Sequence, residues 1–318
     1  MSLAQLMEDF LIHCEYERGL DEKTLKAYKI DLMQFALSLD EKERLSASLI
    51  DKESLRYYLR MTCSEFKPRT IRRKIACLKS FFGHLELEDV ITVSPFRKMR
   101  ITIKAPHEIP KTISLPNIRK LFRYIYTQAG LSAQTEFRQF TVVRDIAVLE
   151  LLFATGMRVS EIACLSCEQV NLAQNIIQVK GKGNKERIVP ICAEEVKKSL
   201  QNYLRLRDKE ATVDSFFINR LGRTLSAQSI RFMVRKHAES AGVKLHITPH
   251  MFRHTMATQL LNEGMDIRYI QDILGHSSIT TTQIYAHVSD KSKRKELRRR
   301  HPRKKMQFIE EEEDSLFI

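Results

Sequence analysis

Residues 248–260, TPHMFRHTMATQL, set His250, Arg253 and His254 within about one turn of a helix. Two histidines at i and i+4 can hold a metal; a histidine and an arginine at i and i+3 can hold a phosphate. A zinc-protease helix needs a glutamate directly after its first histidine, and Met251 stands there. Arg253 would also press a fixed positive charge against the metal. His254 is followed by small and apolar residues, which suits burial in support of the fold. The phosphate reading therefore leads.

Other groups with the same chemistry lie far away in the chain. ATGMRVSEIACL puts Arg158 just beyond Thr155-Gly156, where one helix breaks and another starts. VKGKGNKERIVPI alternates apolar and polar residues on both sides of Gly181–Asn184, a β-hairpin with Lys182 on a basic tip. LGHSSITTTQIYAHV supplies His276 and Tyr285. Two arginines can clamp the nonbridging oxygens of a phosphodiester, a tyrosine hydroxyl can attack phosphorus, and a lysine can protonate the departing oxygen. The GKGNK stretch is not an ATP loop, because a Walker sequence spaces its glycines by four residues and runs into a helix, not a strand. The spacing of Cys164 and Cys167 resembles half a zinc site, but no second pair follows; the six cysteines read as reduced thiols.

These groups need a scaffold, and the apolar periodicity supplies a mostly helical one. Near the N-terminus, Leu3, Leu6, Met7, Phe10 and Leu11 mark one helix, stopped by Gly19. Asp21 caps a second, a third covers about 51–62, and a fourth starts near Pro68. Lys67, Arg69, Arg72, Arg73, Lys74 and Lys79 crowd the fourth helix with hardly an acid among them. This is a candidate phosphate-gripping surface, a solvated charged face being the alternative. Residues 89–112 lose the periodicity and collect Pro95, Pro106 and Pro110 among bases, as a basic interdomain linker would. Helical segments then fall near 115–129, 139–155, 194–208, 227–241, 250–263 and 266–274. The organisation expected is a helical N-terminal domain over 1–88, the linker, a mainly α domain with a small β-hairpin over 113–290, and a charged tail over 291–318.

Composition agrees with an anionic partner. The 318 residues hold 53 Lys+Arg against 39 Asp+Glu, a formal net charge of +14. No run of apolar residues is long enough to span a membrane, and acids sit where a signal peptide needs bases, which points to the cytosol.

Taken together, ERGLDEKTLKAYKIDLMQF, ATGMRVSEIACL, VKGKGNKERIVPI and TPHMFRHTMATQLLNEGMDIRYIQDILGHSSITTTQIYAHV resemble the tyrosine recombinase (phage integrase) family, in particular its Xer-type members, over residues 3 to 290. The resemblance implies an N-terminal core-binding, SAM-like four-helix domain followed by a recombinase catalytic domain. It also implies Arg158 and Arg253 on the scissile phosphate and His250 assisting proton transfer at the nucleophile. Lys182 would be the general acid, His276 a phosphate contact packed on the nucleophile, Tyr285 the nucleophile and Glu161 a supporting acid. The implied partners are double-stranded DNA recombination sites held by a homo- or hetero-tetramer, with a second related recombinase as one option, and no membrane. The implied chemistry needs neither metal nor cofactor. A relaxing enzyme of type IB topoisomerase character and a non-catalytic DNA-binding protein are the rival readings. After residue 290 the chain departs from the Xer pattern with a basic run, an acidic run and Leu316-Phe317-Ile318. Family members pass a C-terminal segment to a neighbour; a plain solvated tail is the alternative.

Overall fold

The computed structural model describes residues 1–104, 111–131, 136–180, 186–210, 213–275 and 296–305. The chain divides into two compact units, Met1–Glu108 and Ile109–Ile318.

Among its described residues the first unit has five α-helices: α1 (Leu3–Tyr16), α2 (Glu22–Leu37), α3 (Glu41–Leu45), α4 (Lys52–Glu65) and α5 (Pro68–Leu87). Their starts are written locally. Ser2, Asp21, Asp40 and Asp51 each accept a backbone N–H of the first turn, and Pro68 occupies the first turn of α5. Phe10 packs edge-on to Phe81, and Phe35 edge-on to Phe82, joining α1, α2 and α5 around one buried aromatic centre. Each fully buried phenylalanine contributes about 1.5–3 kcal/mol. The five-residue α3 has no apolar period to announce it; its capping box of Asp40 with Glu43 defines it.

Two expectations change in this unit. Lys74 does not belong to the phosphate-facing set: its side chain is 2% exposed, and its ammonium lies 3.0 Å from Asp31 and 4.8 Å from the centre of the Phe66 ring. The cause is helical period, since Lys74 shares the core face of α5 with Ile71, Ile75 and Leu78. Arg73 also pairs with Asp31, whereas Lys67, Arg69 and Lys79 are exposed. Residues from 89 to 103 are irregular, yet they are not a free tether. Ile91 and Phe96 are buried in the first unit's core, and Arg72 donates to the carbonyl of Ile103 at 3.0 and 2.6 Å.

The second unit is organised around α7 (Glu136–Thr155), which follows α6 (Leu115–Leu131). From Asp145 to Thr155 every residue of α7 is buried, so it is a central helix, not an amphipathic one. After it come the short α8 (Val159–Ala163) and an antiparallel sheet of β1 (Val170–Asn171), β2 (Ile176–Lys180) and β3 (Glu186–Pro190), in that order. The register pairs Val179 with Arg187 and Lys180 with Glu186. Helices α9 (Glu194–Glu210), α10 (Ala227–Ser240), α11 (Pro249–Asn262) and α12 (Ile267–Leu274) follow the sheet. All six helical segments expected here are present, with the sheet between α8 and α9. No helix among the described residues is long and apolar enough to cross a membrane.

The expected tail is in part structure. Residues 296–300 are helical, and Leu297 is buried among Met256, Leu260, Ile270 and Leu274. Arg303 is 3% exposed and forms a two-point ion pair with Glu150 at 2.9 and 2.8 Å, inside the unit. The basic run thus loses Arg303 as a solvent-facing charge, because Glu150 on α7 needs a buried counter-ion.

Candidate active site

Arg158 is held at the junction the sequence marks. Helix α7 ends at Thr155, Gly156 adopts φ +60°, and Arg158 begins the approach to α8. Only glycine suits Gly156 on two counts: the left-handed backbone, and the absence of a Cβ that would lie 2.8 Å from Leu274. Glu161, one turn into α8, accepts the Arg158 backbone N–H and its Nη1, both at 2.8 Å. The second Arg158 nitrogen, Nη2, donates to the carbonyl of Gly275 at 3.1 Å.

Arg253 reaches the same place from α11. It donates to the carbonyls of Gly156, at 2.8 Å, and Leu274, at 2.6 Å. Burial and, next, the Arg158 charge lower its pKa to about 10, so it remains a cation at neutral pH. His250 lies one turn earlier on α11, with part of its ring exposed. Burial of the rest, and then the positive charges of His254, Arg231, Arg253 and Arg158, push its pKa below the ordinary histidine value. His254 is half-buried rather than enclosed, and burial followed by Arg253 lowers its pKa too. Both imidazoles are therefore biased toward the neutral form.

Glu161 is the electrostatic counterweight. Burial pushes its pKa up, but hydrogen bonds from Arg187 and Arg158 outweigh that and hold the carboxyl below the usual range. Arg187 was not singled out from sequence. It donates Nη1 and Nη2 to the two Glu161 oxygens at 3.0 and 2.8 Å, and Nε to the carbonyl of Ile273 at 3.1 Å. The alternation in ERIVP carried a signal: Arg187 shares a strand face with buried Val189 and pairs with buried Val179, a position where a base requires an acid.

Arg158, Glu161 and Arg253, with His250 one turn from Arg253, gather around the end of α12. Lys182, His276 and Tyr285 lie outside the described residues. Lys182 belongs to the connection between β2 and β3, and His276 directly follows Gly275.

The chain matches the phage integrase family over residues 127–292 and the family's N-terminal SAM-like domain over residues 7–89. It is 41% identical to a tyrosine recombinase of Agathobacter rectalis over 95% of this chain and 98% of that one. It is 37% identical to the tyrosine recombinase XerC of Thermodesulfovibrio yellowstonii, over 88% and 90% of the two chains. Among solved structures, a XerH site-specific recombinase bound to its difH substrate aligns with a TM-score of 0.66, at 22% identity, over 91% of this chain and 82% of that one.

A mostly helical chain with a SAM-like N-terminal domain, a small three-stranded sheet and an arginine-centred site has the integrase architecture. The chain belongs to the phage integrase family as a Xer-type tyrosine recombinase, and its activity is site-specific recombination by DNA strand transfer. The relatives' names favour neither the relaxing-enzyme nor the non-catalytic reading.

Proposed function

We propose that this chain cuts and rejoins duplex DNA through a tyrosyl ester, with Tyr285 as nucleophile and Arg158 and Arg253 as the phosphate clamp. The observation that carries this is the convergence of both guanidiniums on the neighbouring carbonyls of Leu274 and Gly275, immediately before the segment containing His276 and Tyr285. Two fixed cations can stabilise the charge that builds on the nonbridging oxygens as the tyrosyl oxygen adds. Neutral His250 suits the removal of the tyrosine proton, and Lys182 on the hairpin would protonate the leaving 5′-oxygen. The Tyr285 oxygen then bonds to phosphorus as the 5′-oxygen leaves, giving a 3′-phosphotyrosyl bond and a free 5′-hydroxyl. Attack of that hydroxyl on the partner duplex's ester restores the tyrosine and yields a four-way junction; a second round resolves it.

The charge of +14 and the exposed Lys67, Arg69 and Lys79 support double-stranded DNA as the partner. Solved relatives of this fold include a lambda integrase tetramer bound to a Holliday junction, which supports a tetramer on two sites here. The role in the cell that we favour is resolution of chromosome dimers or movement of a mobile element, in the cytosol. Incubation with a nicked duplex, chosen for tight binding from a randomised pool, tests the chemistry. Wild type should be trapped covalently, while Tyr285→Phe should bind and not be trapped. A covalent adduct with Tyr285→Phe would assign the nucleophile elsewhere.

A further inference from the structure

The last turn of α12 is capped in an unusual way. The carbonyls of Ile273 and Leu274, the last two residues of α12, and of its C-cap Gly275 accept hydrogen bonds from three different arginines, Arg187, Arg253 and Arg158 respectively. A helix C-terminus carries unpaired carbonyls and partial negative charge, so cations are favoured there. Two of these arginines are the phosphate clamp. The third is not available for that work. The Arg187 side chain is only 12% exposed, and both terminal nitrogens are committed to Glu161. Its guanidinium also lies directly against Gly275, where an added Cβ would meet Arg187 atoms at 3.1 to 3.2 Å.

We propose that Arg187 is a positioning residue for strand cleavage, a strut that sets the phosphate clamp and the start of the nucleophile segment in one register. It acts through two neighbours. Its paired bonds fix the Glu161 carboxylate, which in turn holds Arg158 by backbone and side chain. Its Nε fixes the Ile273 carbonyl and thereby Gly275, from which the chain continues to His276 and Tyr285. A planar guanidinium can make these three bonds at once, whereas the point charge of a lysine cannot reproduce the fork. The inference rests on the assignment of Arg158 and Tyr285 given above and adds a residue to it.

The test is single-turnover formation of the covalent complex on the nicked duplex at saturating protein, with gel-shift affinity and thermal melting measured alongside. Arg187→Gln should slow cleavage by roughly 100-fold, the cost of a small misplacement of reacting groups. Its DNA affinity should stay within about twofold, a loss felt in the transition state and not in binding. Arg187→Lys should fold and fall between the two. Glu161→Gln combined with Arg187→Gln should be no slower than the slower single variant, since the pair acts as a unit. Wild-type cleavage rates in folded Arg187→Lys and Arg187→Gln would overturn the proposal. So would a slowing that disappears once the folded fraction is taken into account. Should Arg187→Gln not fold, Arg187→Lys decides alone. Absence of any covalent complex with wild type would instead count against the catalytic assignment itself.

Discussion

Arg253 donates to the carbonyl of Leu274 at 2.6 Å, and this bond ties the helix bearing His250 to the turn that leads toward His276. An arginine only 5% exposed is a costly object, and it is tolerated because two of its donors are met by the carbonyls of Gly156 and Leu274 and its charge is offset by Glu161. The same bonds fix its orientation, as the proposed phosphate clamp requires. Preorganised cations of this kind stabilise developing charge without the reorganisation that water requires.

Gly156 is the joint that lets these elements meet, so Gly156→Ala is expected to damage both stability and cleavage. The added methyl would sit at φ +60°, 2.8 Å from Leu274 and 3.0 Å from the Met256 sulfur. Strain and overpacking together should cost about 1–3 kcal/mol. Urea denaturation measures the first effect, and cleavage of the nicked duplex by the fraction still folded measures the second. Wild-type behaviour in both would mean the junction is looser than its contacts indicate.

The pH dependence should carry the signature of His250. Its pKa in the folded chain lies below the ordinary histidine value, so it is neutral at neutral pH and able to take a proton. Acidification protonates it, and the cleavage rate should fall with pH along a limb centred below the ordinary value. Stability follows the same sign. The unfolded chain binds the proton at higher pH than the folded one. His250's contribution is therefore intact above the ordinary value and is lost as pH falls through the lowered one. Arg231 is one of the cations that lower it, so Arg231→Gln should move the acid limb to higher pH. A limb that stays in place or moves the other way would show that another group sets it.

Lys74 and Lys79 should separate folding from DNA binding on a single helix. Lys74→Met removes a buried partner of Asp31 and should cost about 3 kcal/mol, the lower end for a broken buried pair because Arg73 still reaches Asp31. Lys79 is exposed, so Lys79→Ala should leave the melting temperature unchanged and lower the slope of log affinity against log salt by about one. The reverse pattern in melts and salt titrations would return Lys74 to the DNA-facing set.

The helices were legible because their signals are local. Asp21 and Pro68 start α2 and α5 where the sequence says, apolar segments locate α6, α7 and α9 to α12, and the break at Thr155-Gly156 marks the start of α8. Arg158, His250 and Arg253 stand out in the sequence as motifs, and the structure brings Arg158 and Arg253 onto the adjacent carbonyls of Gly275 and Leu274. What was not legible depends on partners distant in the chain. Lys74 reads as one more surface base until Asp31, on another helix, is seen beneath it. Arg187 reads as part of a basic strand until Glu161 and Ile273 meet it. Burial of a charge is set by pairing across the fold, and no spacing rule within a segment reports that.

The segment after residue 295 is where this limit matters most, and it yields the last prediction. Its bases suggest a solvated, phosphate-seeking tail, yet Leu297, His301 and Arg303 are buried in the second unit. The His301 Nε2 lies 2.5 Å from the carbonyl of Ala154, one residue before Thr155-Gly156, and Arg303 grips Glu150 one turn further back on α7. Tyr126 also donates to Glu150 at 2.6 Å. Burial opposes the charge on Arg303, but Glu150 outweighs it and raises its pKa. Arg303→Ala would leave a fully buried carboxylate without its cation, a loss of about 3–5 kcal/mol. Arg303→Lys should recover only part of this, because an ammonium cannot match the two-point contact. Deletion of residues 306–318 spares Leu297, His301 and Arg303 and should leave stability nearly intact. Thermal melts of the three variants, with gel shifts on the selected duplex, provide the comparison. If Arg303→Ala melts as wild type does while affinity for DNA falls, the residue faces phosphate after all. If instead it melts early while the truncation does not, the folded domain extends through residue 305 and the charged extension begins only beyond it.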